Sequence, residues 1–156
     1  MKFVSYIRKS DRKTSWGALS DSSKILDLSS LAADFRAFVE GDWQASLAHI
    51  KTNIAKADLP LADVELLAPI PNPPSMRDGY AFRQHVESAR RNRGLEMIPE
   101  FDNFPVFYMT NHQAVTGPGK CAVMKEHLKR FDFELEAAIV VGKKCRNIKA
   151  SEADDY

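Results

Sequence analysis

Glu134 and Glu136 stand two residues apart in the run Phe131-Asp132-Phe133-Glu134-Leu135-Glu136-Ala137-Ala138-Ile139-Val140-Val141-Gly142. The first half alternates: Phe131, Phe133 and Leu135 on one side, Asp132, Glu134 and Glu136 on the other. That period predicts a strand, and the apolar second half predicts its entry into a core. Same-face neighbours on a strand lie about 7 Å apart, so two glutamate side chains can bend to one point. Carboxylates crowded at the mouth of a core need a counter-charge. A hard divalent cation would supply it, with magnesium, manganese and calcium all suited to oxygen ligands. A solvated acidic face on an edge strand accounts for the same alternation.

A second group is Asp78-Gly79-Tyr80-Ala81-Phe82-Arg83-Gln84-His85. His85 has the right chemistry for a general base near neutral pH. Asp78 reads either as the N-cap of a helix or as a further cation ligand. Arg90, Arg91 and Arg93 follow at the end of the same predicted helix. They complement its dipole, or they form a cationic lid over a carboxylate substrate. His49, His112 and His127 have no partner pattern.

These residues need elements to hold them. Phe3 to Ile7 reads as a strand. Trp16–Leu19 and Lys24–Leu28 read as a hairpin joined by the polar turn Ser20–Ser23. Ser29 or Ser30 is expected to cap a helix carrying Leu31, Phe35, Phe38 and Val39, closed by Gly41. Asp42 then caps a second helix that buries Trp43, Leu47, Ile50 and Ile54. Val64–Leu67 is a short strand. Pro69, Pro71, Pro73 and Pro74 stiffen the chain after it, and the domain boundary is placed there: a module over 1–68, a linker over 69–75, a second domain from 76. Beyond it, Tyr80 to Arg93 reads as a helix ended by Gly94, Pro105 to Met109 as a strand, Thr116–Gly119 as a turn, and Phe131 to Val141 as a long strand.

Bulk properties exclude several classes. Twenty-two basic residues against 21 acidic ones leave a net charge of +1, too little excess for a chain that works by gripping nucleic acid. Cys121 and Cys145 are not spaced as a disulfide framework or a zinc site, and read as reduced thiols. No window approaches the roughly 18 apolar residues of a membrane span, and Met1 to Arg8 lacks a signal-peptide core. The cytoplasm is therefore the expected location, with no nucleic-acid or membrane partner.

Together the segments resemble the fumarylacetoacetate hydrolase superfamily, most densely from Pro69 to Tyr156. Three pieces carry the resemblance, in family order. They are Ser75-Met76-Arg77-Asp78-Gly79-Tyr80-Ala81-Phe82-Arg83-Gln84-His85, then Pro105-Val106-Phe107-Tyr108 leading to Thr116-Gly117-Pro118-Gly119, then Phe131-Asp132-Phe133-Glu134-Leu135-Glu136. The resemblance implies an α+β chain: a small N-terminal module, then the start of a mostly-β catalytic fold, a mixed β-sandwich roll, truncated here. It implies a metal held by Glu134, Glu136 and Asp78, magnesium first, with His85 as the catalytic histidine that activates water. Tyr80 and Tyr108 match tyrosines that contact substrate, and Arg93 lies one residue short of the family's substrate-binding arginine. The implied reaction is hydrolysis of a carbon–carbon bond in a small β-diketo acid, in the catabolism of aromatic compounds, by a homodimer.

The chain departs from the family in two places. Thr110-Asn111 stands where many bacterial members have Lys-Pro, and His85 is followed by Val86-Glu87-Ser88 rather than by the smaller members' His-x-x-Glu. The remaining metal ligand, an aspartate in an Asn-Asp-x-Ser-Ala-Arg-Asp-like motif, and a catalytic lysine would fall after Tyr156. The 156-residue chain by itself is therefore expected to bind metal weakly and not to turn over. Two other readings stand beside this one: a non-catalytic fragment or binding module, and a decarboxylase, hydratase or isomerase on the same scaffold.

Overall fold

The structure is a computed structural model that describes residues 1–156. The chain divides into two compact units, one of residues 1–71 with 116–156 and one of residues 72–115.

The first unit is built on five antiparallel strands. β1 (Lys2–Arg8), β2 (Thr14–Leu19), β3 (Lys24–Asp27), β4 (Leu59–Pro60) and β5 (Val64–Leu66) lie in the order β4-β3-β2-β1-β5. The β2–β3 hairpin forms as its pattern predicts. Its turn uses Ser23 at φ 58°, and the Ser23 amide bonds the Ser20 carbonyl at 3.2 Å. Phe3 pairs with Ala18 and Ser5 with Trp16, so the register sets the two sides of the sheet.

One side carries Trp16, Ala18, Leu28, Phe38 and Ile50, all buried. Two helices cover it: α1 (Phe35–Glu40) and α2 (Trp43–Asn53). Phe3, Trp16, Phe35 and Phe38 meet there, with the Trp16 and Phe38 ring centroids 4.8 Å apart. Trp16 keeps its indole N–H satisfied by donating to the Ala32 carbonyl at 2.9 Å. The other side holds Tyr6, Ile25 and Val64, with Val4, Leu19 and Leu66 beside them. Gly17 sits on that side because nothing larger fits; a Cβ would come within 2.3 Å of the Leu26 carbonyl oxygen.

The α1 cap corrects the sequence expectation. Asp34, not Ser29 or Ser30, accepts from the Ala37 amide at 2.8 Å. Ser29 is engaged elsewhere, donating its amide and hydroxyl to Asp27. Gly41 ends α1 and Asp42 caps α2, as predicted.

In the second unit, β6 (Arg77–Gly79) and β7 (Phe107–Met109) pair as a two-stranded antiparallel ribbon. The amide of Tyr80 extends it by one bond, to the Val106 carbonyl at 2.9 Å. α3 (Arg83–Arg91) follows, with Val86 fully buried, and Gly94 takes φ +70° just past its end. The predicted helix from Tyr80 thus starts three residues late. The reason is visible in the ladder: residues 77–80 bond to 106–109 and cannot also make a helical turn.

The largest correction concerns Phe131 to Val141. No strand forms there, and neither sheet includes these residues. A strand exists through its ladder, and this stretch has none, so its alternating pattern goes unused. Phe133, Leu135 and Ile139 are 81%, 94% and 92% exposed. The α+β class holds, since helices accompany strands that pair only antiparallel. No helix is long and apolar enough to cross a membrane.

Candidate metal centre

Glu134 and Glu136 come together without a strand to align them. A carboxylate oxygen of one lies within 4.8 Å of a carboxylate oxygen of the other. Two ligand bonds to calcium, at about 2.3–2.6 Å each, span up to about 5 Å, and magnesium draws its ligands closer. The donor set therefore fits a hard divalent cation: two flexible carboxylates that can meet one ion. Both residues are exposed rather than set at the mouth of a core as expected; an ion there would stay partly hydrated. Neighbouring Asp132 is turned back on its own backbone, accepting from the Phe133 amide at 2.8 Å.

The second unit assembles most of the other predicted residues. Asp78 lies on β6, not at a helix N-cap, half-buried and directly across the ladder from Tyr108. α3 begins after Phe82 with no side-chain cap. Tyr80 is half-buried, and its ring meets His85 edge-on with centroids 6.4 Å apart. His85 is on the exposed side of the first turn of α3, and Tyr108 is 60% exposed.

The arginines of α3 are held locally. Arg83 contacts Asp102 through two bonds of 3.2 Å, which raises its pKa. Arg90 donates to the Glu96 carbonyl and Arg93 to the Ala89 carbonyl, the latter at 3.1 Å. The Arg93 bond satisfies a carbonyl in the last turn of α3.

Two features escaped the sequence reading. The first is a groove of about 620 Å³ in the second unit, bordered by Tyr80, Phe101, Phe104 and Phe107. The Phe101-Asp102-Asn103-Phe104-Pro105 run was its signal: an aromatic pair bracketing a turn. The second is a polar cluster on the five-stranded sheet. The Asp27 carboxylate accepts from Tyr6 at 2.6 Å, Arg8 at 2.6 Å and Ser15 at 2.9 Å, as well as from Ser29. Burial pushes this carboxyl up, but the bonds from Ser29, Tyr6 and Arg8 outweigh it and hold the group well below the usual carboxylate range. Burial and the Asp27 bond push the Tyr6 hydroxyl up to about 12. No short-range pattern marks this cluster, because its members come from three separate stretches.

Comparison with known proteins bears on the segment that holds these residues. A protein of Dictyostelium discoideum named as a fumarylacetoacetate hydrolase domain-containing protein 2 homolog is 25% identical over 164 aligned residues, covering 100% of this chain and 51% of that protein. A mitochondrial oxaloacetate tautomerase of Xenopus laevis is 28% identical over 144 residues, 88% of this chain and 43% of its own length. A maleylpyruvate hydrolase of Aquipseudomonas alcaligenes is 28% identical over 118 residues, 72% of this chain and 41% of its own. The chain thus spans about half the length, or less, of the curated relatives it matches. The sequence model of the fumarylacetoacetate hydrolase C-terminal domain matches residues 75–156, more than half the chain and the stretch that holds Asp78, His85, Glu134 and Glu136. By that match the chain belongs to the fumarylacetoacetate hydrolase family.

Proposed function

We propose that the protein carrying this chain is a metal-dependent hydrolase that cleaves a carbon–carbon bond in a small β-diketo acid. The observation that carries this reading is the Glu134–Glu136 carboxylate pair within a family-matched segment. Glu134 and Glu136 would hold the cation, with magnesium favoured by the all-oxygen donors. Asp78 joins them as a third ligand on its motif alone. An ion held there would supply Lewis-acid stabilisation of negative charge developing on the keto-acid end of the substrate.

The chain's own residues do the rest. His85 takes a proton from water, and the hydroxide oxygen bonds to the distal carbonyl carbon. The carbon–carbon bond breaks, its electron pair passes to the keto-acid fragment, and the proton held by His85 returns to that fragment's carbon. Tyr80, set edge-on against His85, orients the imidazole and contacts substrate. Tyr108 contacts substrate from the opposite strand of the ribbon. A homodimer, a cytoplasmic location and a role in aromatic catabolism belong to the same reading.

The test is divalent-ion binding and turnover in one set of variants. Glu134→Gln and Glu136→Gln should each weaken magnesium binding by at least about tenfold, the scale seen even for outer-sphere partners of metals. They should abolish magnesium-dependent cleavage of acylpyruvates. Unchanged affinity and turnover in both variants would remove the metal assignment.

The similarity to a protein named as an oxaloacetate tautomerase, over 88% of this chain, favours a second reading as an isomerase. Decay of enol absorbance on adding oxaloacetate, with no cleavage of acylpyruvates, would select it. A non-catalytic module would instead melt cooperatively with no dependence on magnesium.

A further inference from the structure

We propose that the aromatic groove of the 72–115 unit selects the acyl end of the substrate and takes an aryl or alkyl group there. This rests on the hydrolase reading for which end of the substrate is meant; the groove's preference for an apolar group can be tested separately.

The groove's volume, about 620 Å³, lies within the range of small-molecule sites and far exceeds what a methyl ketone fills. Four aromatic rings border it, and two of them, Phe104 and Phe107, are 56% and 52% exposed. Large rings gathered around one open concavity mark a ligand surface more often than idle surface. Tyr80 links this groove to the proposed chemistry. Its ring has His85 edge-on at 6.4 Å and Phe101 edge-on at 6.4 Å. A group lying along Phe101 would therefore start beside the residue that faces the catalytic base.

Charged side chains are few at the groove. Its lining carries one cation, Arg77, and one anion, Asp102. The Asp102 carboxylate is already neutralised by Arg83. The Arg77 guanidinium lies over the Phe107 ring, 5.8 Å from its centroid, and bonds the Met76 carbonyl. One cation therefore keeps its charge at the groove, whereas the faces and edges of four rings remain for stacking.

The experiment titrates the isotope-labelled chain, without metal, with benzoylpyruvate and with acetylpyruvate, and reads backbone amide shifts. Benzoylpyruvate should perturb residues 101–107 and bind about tenfold more tightly than acetylpyruvate, the discrimination an apolar pocket ordinarily supplies. The Phe101→Ala/Phe104→Ala double variant should erase that difference, while unchanged amide shifts in β6 and α3 certify that the 72–115 unit keeps its fold. Equal affinity for the two ligands, absence of shifts at 101–107, or no binding at all would overturn the proposal. Preference for benzoylpyruvate with no cleavage of either compound by the protein carrying this chain would defeat the hydrolase reading and leave the groove standing.

Discussion

Residues 1–71 bury a core, whereas residues 72–156 bury almost nothing. Tyr6, Trp16, Ile25 and Ile50 are fully inaccessible in the first stretch. Val86 is the one buried residue in the second. All six residues proposed for chemistry lie in that second stretch. The contrast shows where each kind of pressure acts. In the first stretch alternating strands and two capped helices satisfy one another, and the local signals other than the α1 cap agree with the packing. In the second, apolar side chains are spent on surfaces that a ligand or another surface can meet, and local stability is correspondingly low.

Four measurements would break or sharpen this contrast. Trp16→Ala removes the centre of the aromatic cluster and should cost about 3–5 kcal/mol in chemical denaturation. A loss below about 1 kcal/mol would mean that the core of residues 1–71 does not dominate stability. Asp27→Asn should cost about 1–3 kcal/mol, since it weakens charged bonds from four side chains and leaves their donors poorly paired.

Both groups of that cluster predict the shape of stability against pH. The Asp27 carboxyl is depressed in the fold, so its contribution is complete above the unfolded value of about 3.9. It is lost as the pH falls from there through the folded value. Tyr6 is raised, so its contribution is complete below about 10 and is lost as the pH rises through about 12. Denaturation of Asp27→Asn should lack the acid limb; an unaltered limb would point to other carboxylates. Smaller again, amides of β6 and β7 should exchange with solvent well before those of β1 and β2, because two strands alone are marginal. The smallest effect is expected from Asp102→Ala, which removes an exposed ion pair and should leave the melting midpoint unmoved. A drop as large as that of Asp27→Asn would show that residues 72–115 contribute to global stability after all.

Much of the candidate site was legible because its signals are local. Asp78, Tyr80 and His85 fall within eight residues, and the Glu134–Glu136 spacing needs only the tendency of alternate side chains to share a side. The groove was not legible, since Phe101 and Phe104 border it only after the ribbon has brought Phe107 beside Gly79. The Asp27 cluster was hidden for the same reason: Tyr6, Ser15 and Asp27 meet through strand register.

What the sequence determined by itself was short-range: the period of β1 to β3, the turn at Ser20–Ser23, the stops and starts at Gly41 and Asp42, and the motifs that place the chain in its family. Tertiary structure alone decided that Asp34 rather than Ser29 or Ser30 caps α1, that Asp78 belongs to a strand, and that residues 131–141 form none. A helix closes its hydrogen bonds within its own turn, but a strand must find a neighbour. Its pattern states a preference that only a partner at the right register can realise.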